Sequence, residues 1–390
     1  MISKLLFLAK RRLLWNRIAW YFNPVFYWRL LRLLFRRNSG RRFLGIWHYG
    51  NSPWSIGDPL TFIATISALA VENGCKEIDI AVIYYKKNPI GKRTTYHGDP
   101  IDSTNCKDYI FDHLSLFSTS PFPGTVYQFS TDEEFRYFLK KNLHRYDLYP
   151  GLGAYLCGQY DYHDFAACDI RILESHYRKH GNIPELSIGD REINWAYWFY
   201  RQYCPGKIPI ALTLRNIPGD TIRNADYSVW LPFLDECYRK YPEIIFSFVG
   251  VREEAIPEFY QLPNMMNLIV TKDYGTTLRE DMALIRTSLF HMGTMSGINA
   301  ISIFSEHPYL LFQMPNFDRY GHKPGENWAF ANYYQKTFTT EQEMSPLFLL
   351  HQFEEMYAKL DVRVWQLRTR THAMPKSGIP TVDMIRENEK

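Results

Sequence analysis

Four stretches of the 390-residue chain carry residue types that can do chemistry, and all four stand where an apolar, strand-like run gives way to a loop and a helix-like run. In HMGTMSGINAISIFSEHPYLLF (291–312), glycines and small hydroxyls follow the strand-like Ser288–Phe290. A turn that needs glycine and a helix that needs a Ser N-cap account for such a pattern without any ligand. The same pattern leaves backbone N–H groups at a helix start, and these hold phosphate. Both readings are open for Gly293, Thr294, Ser296 and Gly297.

The second stretch, WHYGNSPWSIGDPLTFIATISALA (47–70), ends its loop in Gly57-Asp58. Asp in a first helical turn is favoured by the helix dipole alone. Aimed into a cleft, the same carboxylate takes a proton from an acceptor hydroxyl. His48, one loop upstream, is the second candidate base. In LTLRNIPGD (212–220), Arg215 closes a strand and Arg223 follows a flexible turn. Apart from a surface salt bridge, the use of such a guanidinium is planar, bidentate neutralisation of a diphosphate. In VTKDYGTTLREDMALI (270–285), Lys272 and Tyr274 are candidates for meeting a nucleobase or ribose. A capping box from Thr277 to Glu280 explains the neighbouring Thr and Glu without a ligand.

Several chemistries are disfavoured. Neither GxGxxG nor GxxxxGK[ST] occurs, so no dinucleotide fingerprint or P-loop is present and no cofactor is expected. DYHD (161–164) sets one His between two Asp without further ligand spacing and reads as solvated loop, so no metal is expected. Asp-x-Asp, the usual metal anchor for a diphosphate, is also missing from the chain. A leaving diphosphate would then need Arg and helix amides, which Arg215 and the Ser296-Gly297 turn supply.

The elements that must position these residues follow from the apolar pattern. RFLGIW (42–47) reads as a buried strand, 58–71 as a helix, EIDIAVIYY (77–85) and TVYQF (125–129) as strands, and TDEEFRYFLKKNL as a helix capped by Thr131. Past the linker CPGK (204–207), strands are expected at 208–215, 244–250, 267–270, 288–292 and 308–313, with helices at 227–240, 277–287 and 296–306. Alternation of this kind gives parallel βαβ units. The expected fold is therefore α/β, with two Rossmann-like domains, 42–203 and 204–340, facing a cleft. Residues 341–390 are expected to form a C-terminal helix and a loosely ordered tail. Ligands in such sheets sit beyond the carboxyl ends of the strands.

At 46% hydrophobic residues the chain can bury a sizeable core, and six scattered cysteines without a CxxC pair fit a reducing compartment. Charge is unevenly spread. Residues 1–42 hold eleven Lys/Arg and no acid, so of 45 basic and 41 acidic groups the rest keeps 34 and 41, about −7. In VFYWRLLRLLFRR (25–37), Arg29, Arg32 and Arg36 share one helical stripe, and Tyr27, Leu30, Leu31 and Leu34 lie opposite. Trp15, Trp20 and Trp28 add interfacial anchors, while the longest uncharged run, 18–28, is too short to span a bilayer. Residues 1–41 are therefore expected to lie on an anionic membrane surface, on the cytoplasmic side, with docking on the chain's own acidic body as the alternative. Nucleic acid is not expected as partner, because its readers seldom interleave so much Leu, Phe and Trp.

SIGDPLTFIATISAL resembles the Gly-Asp helix start of bacterial heptosyltransferases, and LIRTSLFHMGTMSGINAISIFSEHPYLLF resembles the second-domain strand–Ser-Gly–helix–strand of GT-B glycosyltransferases. In overall pattern the similarity spans roughly 42–315. The resemblance implies an acceptor domain followed by a nucleotide-sugar domain, with Asp58 as base and Gly293, Thr294, Ser296 and Gly297 on the donor diphosphate. His291-Met292 stands where an acidic residue often precedes the Ser/Thr-Gly step in that family, so no particular sugar is carried over.

The resulting expectation is a membrane-associated glycosyltransferase, inverting and metal-independent, taking a nucleotide-diphosphate sugar to a glycan or lipid-linked acceptor. Two rivals stay open. YGNSPWSIGD also resembles the opening of polysaccharide pyruvyl transferases, and the same fold serves inactive, membrane-bound glycan-binding proteins.

Overall fold

The structure, a computed structural model, describes residues 42–49, 55–83, 113–150, 170–217, 221–261, 267–314, 327–340 and 342–371. The basic segment 1–41, most of the Pro/Gly/Asp-rich loop 86–124, DYHD (161–164) and the tail from 376 lie outside them. Described residues fall into two compact units, each built on its own sheet.

The first unit comprises 42–49, 66–83 and 122–150. Its four parallel strands are β1 (Arg42–His48), β2 (Ile78–Ile83), β3 (Val126–Phe129) and β4 (Tyr146–Tyr149), in the order β3-β2-β1-β4. Beyond Arg42, every residue of β1 and β2 is buried, which is why both read as continuous apolar runs rather than alternating ones. Helix α1 (Gly57–Glu72) contributes its second half to this unit. Helix α2 (Asp132–Asn142) is started by Thr131, whose hydroxyl accepts the Glu134 N–H, and it lays Phe135 and Leu139 on Leu44, Ile46, Ala81 and Ile83. At the amino ends of the strands the Asp79 carboxylate is fully buried and fully engaged. It accepts from Arg42 Nε at 2.8 Å, Tyr146 OH at 2.7 Å and Thr125 N at 2.8 Å, so one carboxylate ties all four strand starts.

The second unit comprises 55–65, 113–121 and the chain from 170 onward. Its six parallel strands are β5 (Ile208–Thr213), β6 (Ile244–Phe248), β7 (Leu268–Val270), β8 (His291–Thr294), β9 (Tyr309–Met314) and β10 (Gln335–Thr339). They lie in the order β10-β9-β8-β5-β6-β7. The chain thus builds outward from β5 in one direction, returns, and builds outward from β8 in the other. The switch point between β5 and β8 opens a crevice at their carboxyl ends, the place where α/β sheets bind ligands.

The helices of this unit are α3 (Ile170–His180), α4 (Asp190–Tyr203), α5 (Tyr227–Lys240), α6 (Glu258–Gln261), α7 (Leu278–Thr287), α8 (Ala300–Ile303), α9 (Pro346–Lys359) and α10 (Val362–Thr371). Helix α7 carries the expected capping box between Thr277 and Glu280, and Ser345 caps α9 ahead of Pro346. Helices α3 and α4 precede residue 204 yet group with this sheet, where Tyr200 OH donates to Leu284 O of α7 at 2.8 Å. The core is aromatic-rich, with Trp230, Phe233, Phe246, Phe290, Phe312 and Phe353 packed together. No helix among the described residues is long and apolar enough to cross a membrane.

Two expectations are corrected around β8. The strand runs over His291–Thr294 rather than 288–292, because Gly293 and Thr294 still pair with Leu311 and Phe312 of β9. The helix that follows is shorter than 296–306: a 3-10 turn at Gly297–Asn299 leads into Ala300–Ile303, and Phe304 leaves the helical region.

Candidate anion and catalytic site

Glycine lets β8 come close to β5. A Cβ on Gly293 would lie 2.0 Å from Thr213 O, so any side chain would drive the two strands apart. This approach brings the residues after β5 and the residues after β8 together: Arg215 N donates to Thr294 Oγ1 at 2.8 Å. Ala225 N returns to Arg215 O at 2.8 Å, and Asn224 clips the loop by exchanging two hydrogen bonds with the Ile217 backbone, at 2.9 and 2.8 Å. Arg223 closes the single 3-10 turn Thr221–Arg223 on this clipped loop. Both arginines singled out in the sequence therefore belong to one short connection at the switch point.

Beside Arg215 stands Glu254, which sequence reasoning missed. It is buried, and its Oε1 accepts from Asn216 N at 3.4 Å. Burial pushes its carboxyl up, opposed by hydrogen bonds from the Asn216 and Val251 amides and by the Arg215 charge.

Ser296 occupies the cap position of the Gly297–Asn299 turn with extended backbone, yet its hydroxyl makes no capping hydrogen bond. The N-cap reading of this serine therefore fails on geometry. The backbone of Gly297 meets that of Gly57: a Cβ on Gly57 would lie 3.0 Å from Gly297 Cα. Asp58, half-buried in the first turn of α1, follows directly. Ser55 Oγ accepts the Asp58 N–H at 3.2 Å, and its hydroxyl donates to the Asp58 carboxylate. A chain of contacts thus runs from Arg215 through Thr294, Ser296 and Gly297 to Gly57 and Asp58.

The other candidates have different surroundings. His48, buried at the carboxyl end of β1 in the first unit, lies with Nε2 2.9 Å from Asp132 Oδ1. The hydrogen bond with His48 holds the Asp132 carboxyl below the usual carboxylate range. Lys272 Nζ sits 2.5 Å from Asp281 Oδ2 and donates to Thr276 O at 2.6 Å. Burial pushes the Asp281 carboxyl up to about 6, against the pull of Lys272, so this lysine already serves a buried carboxylate. Tyr274 packs on Tyr203 and Phe199, with ring centroids 4.4 and 5.4 Å away.

No family model matches the chain, and no curated protein matches it. Among solved structures, the E. coli ADP-heptose LPS heptosyltransferase II is similar at 10% identity over 82% of this chain and 99% of that one, with a TM-score of 0.49. A glycosyl transferase family 9 protein from Veillonella parvula is similar at 13% identity over 82% and 90%, with a TM-score of 0.44. The E. coli heptosyltransferase WaaC with ADP is similar at 11% identity over 82% and 98%, with a TM-score of 0.40.

Proposed function

We propose that this protein is a glycosyltransferase that takes a sugar from a nucleotide-diphosphate donor to a glycan or lipid-linked acceptor, by inversion and without a metal. The observation that carries the reading is the backbone contact of Gly57 with Gly297. It joins two motifs, 240 residues apart and singled out independently, into one neighbourhood that holds a carboxylate, a turn and the Arg215 loop. The Asp58 carboxylate takes the proton of the acceptor hydroxyl as its oxygen attacks the anomeric carbon, while the bond from that carbon to the diphosphate breaks. A single displacement of this kind inverts the anomeric centre. Negative charge that grows on the leaving diphosphate is met by Arg215, Arg223 and the amides opening the Ser296-Gly297 turn. Ser55, by donating to Asp58, fixes the direction of the base.

The second unit is assigned the nucleotide sugar and the first unit the acceptor. Residues 1–41, with their basic and aromatic pattern, are assigned to an anionic membrane surface. Pelleting with anionic vesicles that salt reverses, and that a chain lacking the segment does not show, is the expected result there.

A thermal-shift panel of UDP, GDP, CDP, ADP and CMP tests the donor site. A ligand at about 100 times its dissociation constant stabilises by roughly 2.7 kcal/mol. A shift with one diphosphate supports the reading, and no shift with any of them defeats it. Turnover of phosphoenolpyruvate in place of a nucleotide sugar would identify a pyruvyl transferase instead.

A further inference from the structure

Behind the Arg215–Thr294 contact runs a line of buried polar side chains that the proposed chemistry does not use. His291 opens β8 with Nε2 3.0 Å from Thr213 Oγ1 and Nδ1 2.9 Å from Ser302 Oγ. The Thr213 hydroxyl donates to Asn299 Oδ1 at 3.4 Å, and Asn299 Nδ2 donates to Thr294 O at 3.0 Å. Thr294 Oγ1 then accepts the Arg215 N–H at 2.8 Å. Thr213 is 2% exposed, and His291, Thr294, Asn299 and Ser302 are 0% exposed.

The donors and acceptors of this line have one consistent assignment. Burial holds His291 neutral, with its pKa lowered to about 3, so the ring offers one donor and one acceptor. If Nε2 carries the proton, it donates to Thr213, whose own proton goes to Asn299, and Nδ1 accepts the Ser302 proton. His291, Thr213, Ser302 and Asn299 then each have a partner of the matching kind, and a paired buried network specifies one arrangement of the segments it joins. Those segments are the strand whose end carries Arg215 and the strand whose end carries the Ser296-Gly297 turn. Apolar packing at the same junction would tolerate sliding, whereas these bonds have a required length and direction.

We infer that Thr213, His291 and Asn299 are positioning residues, a buried network that sets the Arg215 backbone and the 293–297 turn in one fixed relation. The identity of the anion held there, a diphosphate, rests on the proposed function; the positioning itself does not.

The test uses the full chain with Thr213→Val, which removes the hydroxyl at nearly constant shape, and Thr213→Ser, which keeps it. Hydrogen exchange is followed at amides 214–217 and 293–299, and inorganic pyrophosphate binding is followed by titration calorimetry. Thr213→Val is expected to speed exchange at both segments by about tenfold while β6 and β7 stay protected, with Thr213→Ser restoring the wild-type pattern. Pyrophosphate affinity is expected to fall about tenfold in Thr213→Val and to recover in Thr213→Ser. Should Thr213→Val not fold, Asn299→Ser carries the same test. Wild-type exchange in the hydroxyl-free variant overturns the inference. A wild-type chain that binds neither pyrophosphate nor any nucleotide, with the exchange result intact, sinks the donor-site reading and leaves the positioning network standing.

Discussion

Gly57 and Gly297 touch backbone to backbone: a Cβ on Gly297 would fall 2.8 Å from Gly57 N, and one on Gly57 3.0 Å from Gly297 Cα. Neither atom is the movable end of a side chain, so an added methyl must displace a helix start. Gly297→Ala and Gly57→Ala are each expected to lower stability by about 1–3 kcal/mol, the usual effect of overpacking, and to weaken diphosphate binding. Because both substitutions relieve their strain by the same displacement, the double variant should lose less than the sum. Additive losses in a denaturant-melt cycle would mean that the contact is not shared.

Arg215→Ala separates a phosphate contact from a structural one. The Arg215 backbone is held by Thr294 and Ala225 through its own N–H and C=O, so those main-chain bonds survive the change. Competition titration is expected to show the nucleotide diphosphate weakened by about tenfold or more, with the matching nucleoside almost unaffected. Equal losses for both ligands would place the side chain at the base or in the scaffold.

Lys272 offers a contrast. Its ammonium faces the buried Asp281 carboxylate, so Lys272→Met leaves that charge without its partner. Removing one partner of a buried pair destabilises by about 3–5 kcal/mol. Lys272→Met should therefore lower the melting temperature sharply, and Lys272→Met with Asp281→Asn should recover much of the loss. A variant of unchanged stability that binds nucleotide poorly would instead support Lys272 as a donor-site residue.

The sequence made legible what depends on local pattern. Buried strands such as IPIALT and IIFSF, the capped helices after Thr131 and Thr277, and the βα alternation all follow from apolar runs and cap residues, and the structure has them. Less legible was what depends on distant pairing. Tyr146–Tyr149 is a strand because it pairs with β1, since YDLY carries little strand pattern of its own. The limits of β8 likewise come from β9, which keeps Gly293 and Thr294 in the sheet. At the site, Asp58 and Arg215 announce themselves as charges at strand-to-helix junctions. Thr213, Asn299 and Glu254 do not, because a small polar residue in an apolar run shows its role only when its partner, 86 residues away for Thr213 and Asn299, is beside it.

Acid should find the buried histidines. Burial lowers His291 from 6.5 to about 3 and His113 from 6.5 to about 4, so below pH 6.5 the unfolded chain binds protons that the folded chain refuses. Their contribution to stability is complete above about pH 6.5 and is lost as pH falls toward 4 and then 3, at up to about 1.4 kcal/mol per pH unit for each. Asp281 acts oppositely: raised from 3.8 to about 6, it adds stability as pH falls through that window. Glu254, likewise raised by burial, acts as Asp281 does, so the decline of urea midpoints from pH 7 to pH 4 is set by the two histidines against these two carboxyls. His291→Gln should flatten the decline by one proton's share; an unchanged slope would show His291 titrating normally in the folded state.

Asp58→Asn decides between the two accounts of the first turn of α1. Asn keeps the size of Asp and can still accept from the Ser55 hydroxyl, so the local hydrogen bonds survive the exchange. An Asp present only to favour the helix start is worth about 0.3–1 kcal/mol, and its replacement should leave turnover nearly intact. A general base, by contrast, supplies about two to four powers of ten in rate, and an amide cannot take the proton. The expected result is a fall of that order in turnover with donor affinity nearly unchanged, since the carboxylate acts on the acceptor and not on the diphosphate. Steady-state transfer, or slow hydrolysis of the donor by water where the acceptor is lacking, provides the measurement. If the variant keeps more than about a third of the wild-type rate, the base lies elsewhere. His48 with Asp132 is the next pair to substitute, because an imidazole hydrogen-bonded to a carboxylate is a base in its own right.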